Sequence, residues 1–192
     1  MARPRAYDPE EVIDKATGAF WLKGYEATSL ADIEAATGLN RSSLYTAFGN
    51  MHALYMEALE RFRDRETSRV LHALRVAPTA KEGIRRVFQL SVEDLVNDPE
   101  CRGCMIVNAT AECVPGDPQV TAFVRAVDEE TERAFANAVR RAQAQGEMSP
   151  AHDPDQLSAY LYSALQGLRL RGKAEPDRAT LEGIVGVALS VL

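Results

Sequence analysis

Four polar side chains of one short predicted helix have the hydrogen-bonding chemistry to read base edges in DNA. Arg41, Ser42, Tyr45 and Thr46 fall on the outer face of this helix because its apolar residues, four apart, occupy the inner face. Arginine can bind guanine with two hydrogen bonds, serine bonds base edges or phosphates, and tyrosine adds a ring that packs on a thymine methyl group. The alternative is an ordinary helical corner with a polar outer surface.

A second short helix must precede this one and hold it in place. Ser29 is an N-cap candidate for a helix that buries Ile33 and Ala36 and ends at Gly38, which tolerates the positive φ of a helix C-terminus. Asn40 then caps the donor-rich helix. Two short helices joined by a glycine turn have the anatomy of a helix-turn-helix, and both helix starts would offer backbone N–H groups to phosphates.

Composition allows one long folded domain, or a small domain joined to a larger one, and excludes several classes of protein. The chain has 192 residues, 46% of them hydrophobic, which is enough to bury a core. Its net charge of −6 gives no global attraction to a polyanion, so DNA binding would need a local patch. No apolar run approaches the roughly 18 residues of a membrane span, and the N-terminus lacks the apolar stretch of a signal peptide. We expect a cytoplasmic protein.

Turn-forming residues divide the chain into helices. Between these breakers apolar residues recur at spacings of three and four, which predicts an all-α fold without strands. A long helix from about residue 51 to 75 turns highly charged in its middle, where Glu57 and Arg61 are spaced for an i,i+4 ion pair. The breakers are Gly38, Pro78, Pro99 to Gly103, Pro115 to Pro118, Gly146 to Pro154 and Gly172 to Pro176.

The segment CRGCMIVNATAEC, residues 101 to 113, holds all three cysteines. A C-x-x-C pair followed by a third cysteine can form a metal site or a redox switch. However, a structural zinc site takes four ligands, and only His152, distant in sequence, is available to complete one. We therefore predict small packed thiols, with no metal and no cofactor.

The run AFWLKGYEATSLADIEAATGLNRSSLYTAFGNMHALY, Ala19 to Tyr55, resembles the N-terminal DNA-binding domain of the TetR/AcrR family of bacterial transcriptional regulators. The G-Y-x-x-T-S start, the D-I pair, the G-L-N-R-x-S-L-Y helix and the F-x-N step occur together at family spacing. The resemblance implies about nine helices. It divides the chain into a helix-turn-helix domain at 1–50 and a helical effector-binding and dimerisation domain at 51–192, linked by the long helix.

Position by position, the resemblance assigns base or nearby phosphate contacts to Arg41, Ser42 and Tyr45. It assigns phosphate contacts to three further hydroxyl residues: Thr28, Ser29 and Thr46.

This chain departs from the family at two positions, because Met51 stands where lysine is usual and Ala31 where arginine is frequent. Residues 1 to 55 contain five Lys/Arg against seven Asp/Glu, a net charge of −2, so both departures weaken phosphate binding. We expect other basic residues to compensate: His52, Lys23 and the Arg3/Arg5 arm.

Two apolar stripes near the C-terminus are candidates for a dimer interface or for intramolecular core. A single helix-turn-helix reads too few bases to be selective, so a dimer is expected on a pseudo-palindromic site. In the family the last two helices form an intersubunit four-helix bundle, which favours the interface. The stripes comprise Leu157, Leu161, Leu165 and Leu168, then Leu181, Ile184, Val185, Ala188, Leu189 and Leu192.

The cysteine segment also resembles a family stretch, G-C-x-x-V-N-x-x-x-E, that forms a helix beside the effector cavity. Asn108 and Glu112 lie on one face of this helix and would present polar groups to an effector, or else form a solvated polar pair. The other pocket candidates are residue types found equally in cores. They are Phe88, Cys104, Met105, Phe123, Phe135, Tyr160, Tyr162 and Gln166.

The function that these features imply is a ligand-responsive, sequence-specific transcriptional regulator: a dimeric repressor released from double-stranded DNA by a small-molecule effector. An enzyme is not expected, because G-x-G-x-x-G, G-x-S-x-G and H-E-x-x-H motifs are missing from the sequence. The remaining alternative is a helical protein-interaction module, which would bind DNA weakly and without sequence preference.

Overall fold

The computed structural model describes residues 7–192, and all regular structure in that range is helical. The prediction of an all-α fold with about nine helices is confirmed. The Arg3/Arg5 arm lies outside the described residues. The helices are α1 (Pro9–Lys23), α2 (Leu30–Thr37), α3 (Arg41–Phe48), α4 (Met51–Val76), α5 (Ala80–Asn97), α6 (Met105–Cys113), α7 (Pro118–Ala144), α8 (Pro154–Ala174) and α9 (Arg178–Ala188).

Helices α2 and α3 form the predicted corner because both have strong local caps. Ser29 and Asp32 make a reciprocal capping box at the start of α2, and Gly38 ends it with φ of 74°. The Asn40 side chain accepts the backbone N–H of Ser43 at the start of α3. One detail of the prediction was wrong, because Ala36 is exposed and the position after it faces the core instead.

Two cores stabilise the fold, and α4 and α7 contribute to both. The N-terminal core joins α1, α2, α3 and the first half of α4 to α6 and the first half of α7. The C-terminal core joins the last part of α4 to α5, α8, α9 and the second half of α7. The N-terminal helices therefore share one core with α6 and the first half of α7. Within residues 7–192 no helix has the length and apolar character needed to cross a membrane.

The charged middle of α4 is attached to α1. The predicted Glu57–Arg61 pair was wrong: Arg61 Nε donates to Asp14 Oδ1 at 2.7 Å, and its Nη1 donates to Glu10 at 2.7 Å. The hydrogen bond from Arg61 lowers the pKa of Asp14. These groups are substantially exposed, so we expect the pairs to orient α1 on α4 more than to stabilise the fold.

Candidate nucleic-acid interface and effector cavity

The outer face of α3 presents the four predicted DNA-contacting side chains together. Arg41, Ser42, Tyr45 and Thr46 line one shallow, open hollow. The Arg41 guanidinium carbon lies 5.2 Å from the centroid of the Tyr45 ring, a cation–π pair one helical turn apart. Arg41 and Ser42 are exposed, and Tyr45 is half-buried. The hollow thus combines a planar cation, a hydroxyl and a ring in one surface.

Internal acceptors already occupy several of the backbone donors that we expected to bind phosphates. The Asp32 carboxylate accepts the Ser29 backbone N–H at 2.9 Å and a hydrogen bond from Lys23 at 2.6 Å. Lys23 first, and then Ser29, lowers the pKa of Asp32 to about 2. The Glu34 carboxylate accepts the backbone N–H of Arg41. An acidic side chain therefore lies at the start of α2 and of α3, where we predicted that a phosphate would bind.

Two of the predicted phosphate contacts are contradicted by the structure. Thr28 is only 7% exposed, and its hydroxyl donates to the Gly24 carbonyl. His52 Nε2 lies 2.6 Å from Asp117 Oδ2, at the N-cap of α7, and so faces the C-terminal half of the chain. The Val120 backbone N–H and then His52 lower the pKa of Asp117.

The hydroxyls of Ser29 and Thr46 are exposed but already engaged. Ser29 Oγ donates to Asp32 at 2.7 Å, and Thr46 Oγ1 donates to the Ser42 carbonyl at 2.7 Å. Each hydroxyl proton would have to leave its internal acceptor to reach a phosphate. Contacts by Arg41, Ser42 and Tyr45 need no such rearrangement.

Glu112 lies outside the cavity, contrary to the prediction, and connects α6 to the helix-turn-helix. Its Oε2 accepts the backbone N–H of Tyr25 at 2.9 Å, and its Oε1 accepts that of Glu26 at 2.8 Å. Gly24, with φ of 84°, lies so close that a Cβ there would be 2.7 Å from Oε2. The carboxylate therefore fixes the turn between α1 and α2.

Asn108 also makes structural hydrogen bonds instead of facing a cavity. Its Nδ2 donates to the Arg102 carbonyl at 2.9 Å, and its Oδ1 accepts from Lys173 at 2.9 Å. These bonds hold the loop before α6 against α8, and the prediction of an effector contact was wrong for this residue.

Trp21 of α1 packs against the same loop, a contact that could not be predicted from the sequence. Its Nε1 donates to the Gly103 carbonyl at 3.0 Å, and the Arg102 guanidinium lies 4.1 Å from the centroid of its ring system. The Trp21 ring also meets the Phe62 ring edge-on at 4.9 Å. Helix α1 thus contacts the loop that leads into α6.

A cavity of about 280 Å³ opens beside this loop, between α1, α4, α5 and α8. Its wall includes Trp21, Phe62, Cys104 and Arg169. A much smaller cavity lies behind it, bounded by α4, α6, α7 and α8, and it shares Phe62, Cys104 and Arg169 with the first. The smaller cavity also includes Tyr162 in its wall.

Only some of the predicted pocket residues line these cavities. Cys104 and Tyr162 do, and Gln166 lies next to them, because its Nε2 donates to the Tyr162 hydroxyl at 3.0 Å. The other predicted pocket residues lie elsewhere, because core residues and cavity residues recur at the same helical spacing. Phe88, Met105 and Phe135 are buried in the cores. Phe123 packs on the N-terminal core with Arg63 over its ring, and Tyr160 is exposed on α8.

The three cysteines are unpaired thiols in the structure. Cys104 and Cys113 are buried and Cys101 is half-buried. Within residues 7–192 no cluster of three or more histidine, cysteine, aspartate or glutamate side chains is arranged to hold a metal ion.

The leucines of the predicted stripes belong to the core of the chain. Leu161, Leu165 and Leu181 have no exposed surface because α8 and α9 pack against α5 and α7. The same correction applies to Leu157, Leu168 and Leu189, which are also buried, while Val185 is half-buried.

An apolar groove lies between α8 and α9. Tyr160, Ala164 and Gly167 of α8 face Gly183 and Val187 of α9 across it. Val187 is 72% exposed and Tyr160 is 44% exposed. Leu168, Ile184 and Ala188 of the predicted stripes also line this groove, which is an open apolar surface of the two terminal helices.

Comparison with protein families agrees with this architecture. Residues 12–58 match the family described as "Bacterial regulatory proteins, tetR family", and residues 80–185 match "Tetracyclin repressor-like, C-terminal domain". The chain belongs to the TetR family of bacterial transcriptional regulators.

Individual relatives match along nearly the whole chain. HTH-type transcriptional regulator YezE of Bacillus subtilis (strain 168) is 31% identical, with 100% of both chains covered. HTH-type transcriptional repressor ComR of Escherichia coli (strain K12) is 27% identical, over 99% of this chain and 90% of ComR. A solved cysteine mutant of CifR, complexed with 26-bp double-strand operator DNA, has a TM-score of 0.89 and 31% identity over 98% of each chain.

Proposed function

We propose that this regulator is a homodimeric repressor that binds a pseudo-palindromic operator and is released from it by a small-molecule effector. The observation that carries the proposal is the open face of α3, where Arg41 is stacked on Tyr45 beside exposed Ser42. The names of two relatives, the repressors ComR and DhaR, support repression, and the CifR complex supports operator binding by this fold.

The dimer face in this proposal is the apolar groove between α8 and α9, occupied by the same groove of a second copy. Ala164, Gly167 and Gly183 are small enough to allow close helix approach, while exposed Val187 supplies apolar area. A two-fold interface of this kind would let the two copies of α3 reach half-sites that lie about one helical turn of DNA apart.

A charge in the groove is expected to separate the subunits. In Val187→Asp a carboxylate would have to be buried without a partner, so we expect the dissociation constant of the dimer to rise about 10- to 100-fold or more. Sedimentation equilibrium over a range of concentrations measures this constant. Asn137→Asp, which places a charge on the exposed surface of α7, is the matched control and should leave it unchanged. A Val187→Asp protein that remains as dimeric as wild type would locate the interface elsewhere.

Effector release in this proposal works through three contacts between the N-terminal helices, including the start of α4, and the rest of the chain. These are the Glu112 carboxylate on the Tyr25 and Glu26 amides, the His52–Asp117 pair, and Trp21 on the loop before α6. An effector that favours a different position of α6 would shift α3 through these contacts. An effector that bound both positions of α6 with equal affinity would not release the operator, so the effector must bind one position more tightly than the other.

Selection of bound DNA from a random pool by the wild-type protein, at near-physiological salt, tests the proposal. Enrichment of one sequence with two-fold symmetry would support a dimeric operator-binding protein. Recovery of DNA without sequence preference, lost as salt is raised, would contradict it and favour the protein-interaction module. The acidic groups at the starts of α2 and α3 make this alternative worth testing.

A further inference from the structure

In the wall of the larger cavity every acidic side chain is paired with an arginine, but two of the arginines are not paired with any carboxylate that the structure describes. Four arginines and four acidic residues line it. Arg69 pairs with Glu66 at 3.1 Å and with Asp94 at 3.0 Å, and Arg102 pairs with Asp98 at 3.1 Å. The fourth acidic residue, Glu93, pairs with an arginine outside the cavity at 2.9 Å. Every carboxylate in the wall is thus paired with an arginine, and Arg69 is shared by two of them.

Two arginines of the wall, Arg65 and Arg169, have no carboxylate within 4 Å among residues 7–192. Arg65 is exposed and solvated, but Arg169 is half-buried at the junction of the two cavities. Its Nη1 has only two weak neighbours, Cys104 Sγ at 3.7 Å and Gln166 Oε1 at 3.5 Å. The Nε and Nη2 groups of Arg169 meet no acceptor in the described part of the chain. The Nε and Nη2 groups of this half-buried guanidinium are therefore free to donate hydrogen bonds to an anion in the cavity.

We propose that the effector of this regulator carries a carboxylate that binds Arg169. A guanidinium binds a carboxylate through two parallel N–H···O bonds, and Nε and Nη2, which lie on one edge of the Arg169 group, are the donors left free. Binding at this position requires no existing ion pair to break. The regulatory part of this inference rests on the proposed function, whereas carboxylate binding by itself does not.

The rest of the cavity wall indicates a small ligand with an apolar body. Trp21, Phe62 and Leu95 provide apolar surface beside the charged groups. The volume of about 280 Å³ lies just below the usual range for ligand pockets, about 300–1,000 Å³. A monocarboxylate with one aromatic ring or a short alkyl chain fits this description better than a large or polyanionic compound.

Trp21 provides a direct measurement, because it is the single tryptophan of the chain and lies in the cavity wall. The wild-type protein is titrated with benzoate, phenylacetate and octanoate, and with benzamide, phenylacetamide and octanamide, while its tryptophan emission is recorded. We expect at least one carboxylate to give a saturable change at a concentration where its amide gives none. Arg169→Met should weaken binding of that carboxylate about 10- to 100-fold, and Arg169→Lys should weaken it less.

A control variant separates the site from general effects on charge and folding. Arg133→Met removes an exposed arginine of α7 and should bind the carboxylate like wild type. If Arg169→Met, shown to be folded by circular dichroism, binds the carboxylate as tightly as wild type does, the proposal is overturned. Equal responses to carboxylates and amides, or no response to any carboxylate of the panel, would also overturn it.

A second measurement separates this inference from the proposed function. Operator release is followed with the DNA sequence obtained by selection. Carboxylate binding that depends on Arg169 but leaves the operator bound would support the site and contradict the effector mechanism. Operator release by an uncharged compound, unchanged in Arg169→Met, would support the effector mechanism and overturn the carboxylate inference.

Discussion

Replacing Arg41 with alanine is expected to reduce operator affinity from about 30-fold to more than 1,000-fold. A bidentate arginine contact to guanine contributes roughly 1–3 kcal/mol of discrimination, and a two-fold symmetric dimer loses that contact twice. Arg41 is also the only cation on the outer face of α3 within the hollow, and its loss removes the partner that orients the Tyr45 ring. Fluorescence anisotropy with labelled operator, at one fixed salt concentration, measures the change.

The variant Arg41→Lys distinguishes reading of a base from attraction to a phosphate. Lysine keeps the positive charge but cannot make the same two parallel hydrogen bonds. If Arg41 reads a base, Arg41→Lys should lose much of the affinity and discriminate less at one position of each half-site. If Arg41 contacts only phosphate, Arg41→Lys should bind nearly like wild type, and Arg41→Ala should weaken binding to all sequences equally.

Lys15→Ala is the matched control for charge. Lys15 is an exposed cation of α1 that pairs with Glu11 at 2.7 Å, away from the α3 hollow. Its removal changes the net charge of the N-terminal helices by the same amount as Arg41→Ala. Operator affinity that falls equally in both variants would contradict a specific role for Arg41.

The parts of the molecule that could be predicted from the sequence are those determined by neighbours in the chain. Ser29, Gly38 and Asn40 mark the ends of α2 and α3 through caps that span three or four residues, and the structure has these caps. The proline and glycine breakers divide the helices for the same reason. The outer face of α3 follows from helical periodicity once the apolar positions are known.

The parts that could not be predicted depend on contacts between distant segments. Trp21 and Gly103 are 82 positions apart, and Tyr25 and Glu112 are 87 apart. Periodicity shows that Leu165 lies on an apolar face of α8, but not whether that face meets α5 or a second subunit. It likewise cannot show that Arg61 reaches Asp14 on α1 in preference to Glu57 on its own helix.

Glu112→Gln is expected to uncouple the effector cavity from the helix-turn-helix. The carboxylate uses both oxygens to accept backbone N–H groups of Tyr25 and Glu26, and an amide side chain can accept with only one. Operator affinity without effector should stay within a few-fold of wild type, since the α3 hollow is untouched. The ratio of operator affinities without and with effector, about 5- to 150-fold in typical allosteric coupling, should fall towards 1. Parallel anisotropy titrations with and without a saturating effector give this ratio.

The control for Glu112→Gln must remove a negative charge from the same surface without breaking the contact. Glu26→Gln does so, because Glu112 binds the backbone of Glu26 and the exposed Glu26 side chain is not involved. Both variants should raise the attraction to DNA similarly, and only Glu112→Gln should lose the response. Effector binding, followed through Trp21 emission, should remain in Glu112→Gln. A Glu112→Gln protein that still releases its operator would show that the His52–Asp117 and Trp21 contacts transmit the signal without Glu112.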